Sequence, residues 1–352
     1  MTSSGATHHA GPRPGLVRPV RIDPNGELGP TRSETQGRHW RRTSRGWYVP
    51  AHVEASDVEQ RILEAGPVVP VGSAVTGWAA LRWMGGRWFS GTSRTGAQRP
   101  VEIAVGTHHV RHQAGIFIRE ENAAPHRVLE VDGLPVTDAS WSLSHEMRYA
   151  DDLAAAVVAA DMAAYDDLVS TVEIDACLTP RQNAWTGVPL ARDAVGWSEE
   201  NSWSPTETLM RLAWVRDGQL PPPLCNVPVF DLQGRHLATP DLFDPVAGVA
   251  AEYDGAVHLM ASNRHRDVRR TGGLVSAGIV SVTMMAPDLR NTRRFVADLE
   301  GAYATAARLP VAGRRWTVEQ PAWWVPTDTV ERRRSLTAGE RRRLLGYRAR
   351  AA

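Results

Sequence analysis

Asp241-Leu242-Phe243-Asp244-Pro245-Val246-Ala247-Gly248-Val249-Ala250-Ala251-Glu252-Tyr253-Asp254 reads as two strands joined by the turn Asp244–Gly248. With the hairpin centred between Val246 and Ala247, Asp241 lies opposite Glu252, and cross-strand neighbours sit roughly 4.5–5.5 Å apart. Asp254 is two residues beyond Glu252, so it shares that face of the strand. Two or three carboxylates then project from one patch of sheet, and like charges placed opposite each other are destabilising. A hard divalent cation relieves this repulsion, and carboxylate oxygens suit Mg2+. Edge carboxylates that simply face solvent are the alternative, and a bulge or another turn would break the register.

Working outward, two strands precede the hairpin, Leu224–Asp231 and His236–Phe243, around a Gln233-Gly234 turn. Ahead of them Ser204-Pro205-Thr206-Glu207 is a capping-box pattern with proline at the first helical position. The helix it opens carries Leu209, Leu212, Ala213 and Val215 and stops at Gly218. Downstream, His258 follows Asp254 by four residues, and its nearness to the carboxylates suggests general acid/base work. An ordinary surface or core histidine is the alternative. Ser262 is placed to cap a helix running to Gly278, although Gly272-Gly273 weakens it. Arg266 and Arg270 lie one turn apart on that helix and share a face. They suit a scissile phosphate, or form an exposed basic stripe with Asp267 as internal partner. Ile279–Met285 reads as a buried strand.

The first half is patterned differently. His39–Pro50 alternates basic and apolar residues around Ser44-Arg45-Gly46, which suits a short hairpin. Helical spacing follows at Ser56–Ala65 and Gly72–Met84. Pro100–Val105, Ala114–Arg119 and Arg127–Val131 read as strands, the last closed by Asp132-Gly133, and Asp151–Leu168 is a strong alanine-rich helix. Leu178–Glu199 is weakly patterned and contains proline, so a domain boundary is expected there. The tail from Asn291 starts as a helix, passes through an irregular stretch with Trp316, Trp323 and Trp324, and ends in an Arg-rich helix opened by Thr337-Ala338-Gly339-Glu340.

A chain of 352 residues has room for two or three domains. Its formal net charge of +1 advertises no global attraction to nucleic acid, but arginines cluster at Arg41–Arg45, Arg264–Arg270 and Arg332–Arg343, as phosphate contacts or as solvated faces. There is no lysine: all 40 basic side chains are arginine. That excludes P-loop, Schiff-base and serine–lysine chemistry. Two cysteines, Cys177 and Cys225, make neither a cysteine-rich zinc site nor a disulfide framework, so a reducing cytoplasm is the expected setting. The longest apolar stretch, Leu153–Tyr165, is interrupted by Asp161 and too short for a bilayer, so no membrane partner is expected. Residues 1–16 lack the apolar core of a signal peptide and are expected to be disordered.

The order helix, three strands, helix, strand, with Asp241 on the second strand and Glu252-Tyr253-Asp254 on the third, resembles the PD-(D/E)XK nuclease core. Glu252-Tyr253-Asp254-Gly255-Ala256-Val257-His258, Arg266-Asp267, Arg270, Ala277-Gly278 and Asp288-Leu289 resemble, more narrowly, very-short-patch-repair-like (Vsr-like) endonuclease domains, as do Ser204–Glu207 and Leu220-Pro221-Pro222-Pro223. The resemblance covers roughly residues 201–289. It implies a Mg2+ cofactor held by Asp241 and Glu252, proton transfer assisted by His258, charge neutralisation by Arg266, and Glu207 at the outer side of the metal. Glu207 has a competing role as the capping-box partner of Ser204. Asp254 stands where the signature has lysine.

The first half resembles AbiEi-type antitoxins of abortive-infection systems, through Ser44–Pro50, Ala74–Ala80 and Val131–Thr137. Residues 138–150 depart from that family's pattern. The combined expectation is an α/β multidomain chain: a degenerate winged helix over 17–70, an α/β middle domain over 71–190, a restriction-endonuclease-like α/β core over 200–290 and a Trp/Arg-rich helical tail over 291–352. Arg41, Arg42, Arg45, Arg266 and Arg270 are the expected DNA contacts. The function implied is a Mg2+-dependent DNA endonuclease or nickase in phage defence or DNA repair. The alternative is a catalytically silent DNA-binding antitoxin or autoregulator with a cognate toxin.

Overall fold

The computed structural model of the chain describes residues 13–106, 110–121, 123–179, 184–254, 274 and 277–348. The protein is mixed α/β and divides into two compact units, Met1–Ala150 with Val172–Ala191, and Asp151–Thr171 with Arg192–Ala351. Among the described residues no helix is long and apolar enough to cross a membrane.

In the first unit, β1 (Val20–Arg21), β2 (Trp40–Ser44) and β3 (Trp47–Pro50) form a sheet of order β1-β3-β2. Helix α1 (Val58–Ala65) is opened by Asp57, whose side chain accepts from Gln60 N. The stretch Gly72–Met84, expected as one helix, is instead strand β4 (Ala74–Thr76) followed by helix α2 (Gly77–Trp83). Val75 pairs with both Ile103 and Val136, and Gly77 at φ +59° takes the left-handed conformation that ends the strand. Strands β5 (Val101–Ala104), β6 (Ile116–Arg119), β7 (Val128–Val131) and β8 (Leu134–Thr137) complete a five-stranded sheet of order β6-β5-β4-β8-β7. Asp132 and Gly133, both at positive φ, make the β7–β8 turn. Helix α3 (Ala139–Arg148) follows, capped by Asp138. Arg13, placed by the sequence in a disordered tail, pairs with Glu59 at 2.8 Å and Asp132 at 2.9 Å.

Helix α4 (Leu153–Tyr165) belongs to the second unit, although it precedes α5 (Thr171–Cys177) and α6 (Val188–Trp197) in the chain. The chain passes from the first unit to the second after Ala191, inside the stretch 178–199 expected as a boundary, and residues 188–197 of that stretch form α6. Local patterning there is weak because α6 contains Pro189, which its first turn tolerates. Gly187 at φ +74° lets the chain pass Arg148: a Cβ there would lie 1.8 Å from the Arg148 carbonyl oxygen.

The second unit is built on helix α7 (Pro205–Leu212), continued by a π-helical turn over Ala213–Asp217. The two strands expected upstream of the hairpin are each divided between sheets. β9 (Leu224–Cys225), β12 (Leu242–Asp244), β13 (Val249–Asp254) and β14 (Val280–Met285) form one sheet of order β14-β13-β12-β9. β10 (Val229–Asp231), β11 (His236–Ala238) and β15 (Trp316–Thr317) form another, of order β11-β10-β15. Pro228 and Pro240 stand at the two crossings, where a missing N–H interrupts a ladder. β13 runs antiparallel to β12 and parallel to β14.

Side chains of β12 and β13 alternate between two cores. Leu242, Val249 and Ala251 pack with Met210 and Trp214 near α7 and with Phe295 and Leu299 of α8 (Arg293–Ala306). Phe243 and Ala250 face the other way, against Val229, Ile279 and Trp316. The tail closes with α9 (Val330–Arg334) and α10 (Ala338–Leu344), and α10 carries the expected capping box between Thr337 and Glu340. Its arginines are less free than their sequence suggests. Arg333 is fully buried on Asp167, Arg341 donates to the same carboxylate at 2.6 Å, and Arg334 donates to the carbonyls of Asp167 and Leu168.

Candidate functional site

Ser204 opens α7, its Oγ accepting from Glu207 N at 3.2 Å, with Pro205 next. Glu207 turns back over the helix start. Its Oε1 accepts from Ser204 Oγ at 3.0 Å, and its Oε2 accepts from Trp203 N at 2.7 Å and from Asn226 Nδ2 at 2.7 Å. The bond back to the Ser204 backbone expected of a capping-box partner is made instead to Trp203 N, one residue earlier.

Asn226, at φ +45°, follows β9, and its N–H donates to the Asp241 carbonyl at 2.9 Å. Asp241 stands one residue ahead of β12. The pairs Leu242↔Ala251, Phe243↔Ala250 and Asp244↔Val249 set the hairpin register. Continuing it by one place puts Asp241 opposite Glu252, the relation expected from the sequence. Tyr253 N donates to Asp241 Oδ2 at 2.8 Å, which fixes that carboxylate against β13. Strand alternation gives Asp241 and Glu252 the face of Phe243 and Ala250. Both carboxylates are partly buried, whereas Asp254, of the same parity, is exposed at the end of β13.

Glu207 of α7 lies close enough to Asp241 for their charges to interact, and the hairpin register puts Glu252 of β13 opposite Asp241. Burial, followed by the negative charge of Asp241, pushes the Glu207 carboxyl up to about 7. Two accepted hydrogen bonds from nitrogen and one from Ser204 only partly offset this. Among the described residues no group of three or more histidine, cysteine, aspartate or glutamate side chains is arranged to hold a metal ion. What the geometry offers is two acidic residues opposite each other across a strand pair, with one oxygen of Asp241 held by Tyr253 N. That suits an ion such as Mg2+, which commonly uses one or two carboxylates and keeps several waters.

Comparison of the chain with protein-family models, curated proteins and solved structures finds no match in any of the three.

The raised Glu207 pKa makes a stability prediction. From the ordinary carboxylate range up to about 7, the folded state keeps a proton that the unfolded chain has released. Stability contributed by this group is therefore full at low pH and lost as pH rises through the folded value. Glu207→Gln removes the buried ionisation. The expected gain in unfolding free energy is about 2–3 kcal/mol at pH 8 and close to zero at pH 4, read by urea unfolding at both. An equal gain at the two pH values would contradict this.

The remaining expected site residues divide into two groups. His258, Arg266 and Arg270 lie outside the described residues. Arg41 is committed to a bidentate pair with Glu64, at 3.0 and 2.6 Å. Arg42 is exposed, its Nε donating to the Ser44 carbonyl at 3.2 Å, and Arg45 is exposed on the hairpin turn. Residues 17–70 contain one α-helix, α1, and the next helix, α2, buries Gly77–Leu81 and Trp83. A base-reading helix needs an open face, and α2 has none.

Sequence reasoning missed Asn226. Its only signal was an asparagine two residues before a proline, at a place read as strand interior. It missed also the cavity lined by Trp203, Trp323, Trp324 and Tyr347, because these residues come from three separate places in the chain.

Proposed function

We propose that the second unit is a Mg2+-dependent DNA endonuclease or nickase, with Asp241 and Glu252 as the ligands of the ion. The observation that carries this is the β12–β13 register, which continued by one place sets residues 241 and 252 opposite each other, while Tyr253 N holds the Asp241 carboxylate. Support for the PD-(D/E)XK-type reading comes from the sheet order β14-β13-β12-β9, with α7 packed on the sheet, Asp241 beside the second strand and Glu252 on the third.

Bound there, Mg2+ would supply Lewis-acid polarisation of a phosphate and a hydroxide at neutral pH. The chain's own residues do the rest. Asp241 and Glu252 give oxygen donors on a rigid strand pair. Glu207 sits beside Asp241 with a carboxyl pushed up to about 7, and Asn226 Nδ2 keeps it oriented. His258 as proton shuttle, Arg266 as charge neutraliser, and Arg42, Arg45 and Arg270 as phosphate contacts complete the proposal.

The test is nicking of supercoiled plasmid over a Mg2+ titration. Glu252→Gln and the Asp241→Ala/Glu252→Ala double variant are expected to lose at least about 100-fold in rate, and chelation to abolish cleavage. Unchanged cleavage by the double variant would sink the proposal. One observation favours a second reading: Asp254, exposed at the end of β13, occupies the lysine position of the signature in a chain without lysine. A silent DNA-binding antitoxin or autoregulator would shift its own upstream DNA in a gel, with or without chelator. Absence of DNA affinity at low salt would count against both readings.

A further inference from the structure

The second unit contains a cavity of about 470 Å3, and Trp203, Asn226, Trp323, Trp324, Arg343 and Tyr347 line it. Its volume lies in the range of small-ligand sites. Three features of its wall do not belong to an ordinary core. Aromatic rings are concentrated there: Trp203 and Tyr347 lie 4.8 Å apart in a tilted pair, and Trp323 and Trp324 meet edge to face at 5.6 Å. Trp323 leaves 60% of its surface in water, an unusual position for the largest apolar side chain. Arg343, exposed on α10, supplies a cation beside these rings.

The third feature is Asn226. It is 3% exposed. Its Nδ2 donates to the Asn201 carbonyl at 2.8 Å and to Glu207 Oε2 at 2.7 Å, while its Oδ1 is buried with no hydrogen-bond partner. Flipping the amide would set oxygen against a carbonyl and a carboxylate, so the acceptor cannot be exchanged for a donor. A buried acceptor held in this way calls for an N–H from outside.

We propose that this cavity binds a nucleotide, its base unstacked from any neighbour and lodged among the tryptophans. Rings without sequence preference stack on any base, and an extruded base is read by a few polar groups within such a pocket. The lone acceptor of Asn226 takes an N–H from the edge of the base, an amino group of adenine or cytosine or the N3–H of uracil. The cation of Arg343 takes the phosphate. The proposal goes beyond cleavage, since binding would occur whether or not a strand is cut. Asn226 also joins the cavity to the carboxylates, touching Glu207 through its side chain and Asp241 through its backbone. The nucleotide has two sources, a free mononucleotide or one residue of a nucleic-acid strand.

The test uses the full chain in EDTA, so that strand cutting does not enter. Tryptophan quenching is followed with AMP, CMP and UMP, and fluorescence with a single-stranded oligonucleotide carrying 2-aminopurine. Saturable quenching is expected with each of the three mononucleotides. Trp323→Ala, at a mostly exposed position, is expected to weaken binding by about 5- to 100-fold with its melting temperature unchanged. Arg343→Ala is expected to weaken AMP and leave adenosine unaffected. Binding of the mononucleotides identifies the free source; binding of the oligonucleotide alone identifies the strand. No saturable binding of any probe below millimolar concentration, or binding indifferent to both substitutions, overturns the proposal. Loss of plasmid nicking in Mg2+ with nucleotide binding intact would instead count against the nuclease reading alone.

Discussion

Asp161→Ala is expected to lower the unfolding free energy of the second unit by about 3–5 kcal/mol. Asp161 sits in the middle of α4 with no exposed surface. Its Oδ2 accepts from Arg211 Nη2 at 2.6 Å and Thr208 Oγ1 at 2.8 Å, and its Oδ1 accepts from Glu199 N at 2.8 Å. Arg211 is itself 5% exposed. Removing the aspartate leaves a guanidinium in a low-dielectric interior without its counter-charge, and that loss is larger than the net worth of the pair. The double variant Asp161→Leu/Arg211→Met is therefore expected to recover most of the loss, because two apolar side chains leave no charge unpaired. Urea unfolding of Asp161→Ala and of the double variant measures both quantities. A single-variant loss below 1 kcal/mol would contradict this. The consequence reaches the candidate site, since Arg211 is one turn beyond Glu207 on α7. An α7 released from α4 would no longer hold Glu207 against Asp241 and Asn226.

Arg333→Ala is expected to cost a further large amount, about 3–5 kcal/mol. Arg333 is 0% exposed. It donates to Asp167 Oδ1 at 2.6 Å, to the Thr327 carbonyl at 3.0 Å and to the Ala164 carbonyl at 2.7 Å. The last bond adds to one that the Ala164 carbonyl already accepts from Asp167 N, and Arg348 donates to the Tyr165 carbonyl at 2.7 Å, both at the C-terminus of α4, where positive charge is favoured by the helix dipole. Three bonds in three directions need a planar, forked donor. Arg333→Lys keeps the charge but not the fork, and is expected to restore less than half of the loss. The tail bearing Arg333 also carries Trp323, Trp324 and Tyr347. Proteolysis of the variant is thus expected to begin between residues 318 and 348 under conditions that leave the wild type whole, and cleavage elsewhere first would argue against the anchoring role.

Both predictions concern charged residues whose sequence context suggested something else. Asp161 interrupts an apolar helix and served only to argue against a membrane span, and Arg333 lies in a basic run that reads as a phosphate contact or a solvated face. Burial of an ion is unfavourable unless a partner is supplied. Here the partners lie 50 residues away for Asp161 and 166 for Arg333, and nothing local announces them.

What the sequence by itself determined is the structure made from neighbouring residues. The Asp244–Gly248 turn with its alternating flanks set the β12–β13 register, hence the facing of Asp241 and Glu252. Ser204-Pro205, Thr337 with Glu340, and Asp132-Gly133 marked helix starts and a turn, because capping and left-handed turn conformations depend on side-chain chemistry within a few residues. Tertiary structure decided which sheet each half of the two upstream strands would join, that α4 packs in the second unit, and that Glu207 would be buried beside a second carboxylate with its pKa near 7. It also brought Asn226 and aromatic side chains from three separate places in the chain around one cavity. The physical reason is the same throughout: hydrogen-bond patterns and side-chain periodicity are local, whereas burial, desolvation and the choice of a charge's partner depend on residues that only the folded chain brings together.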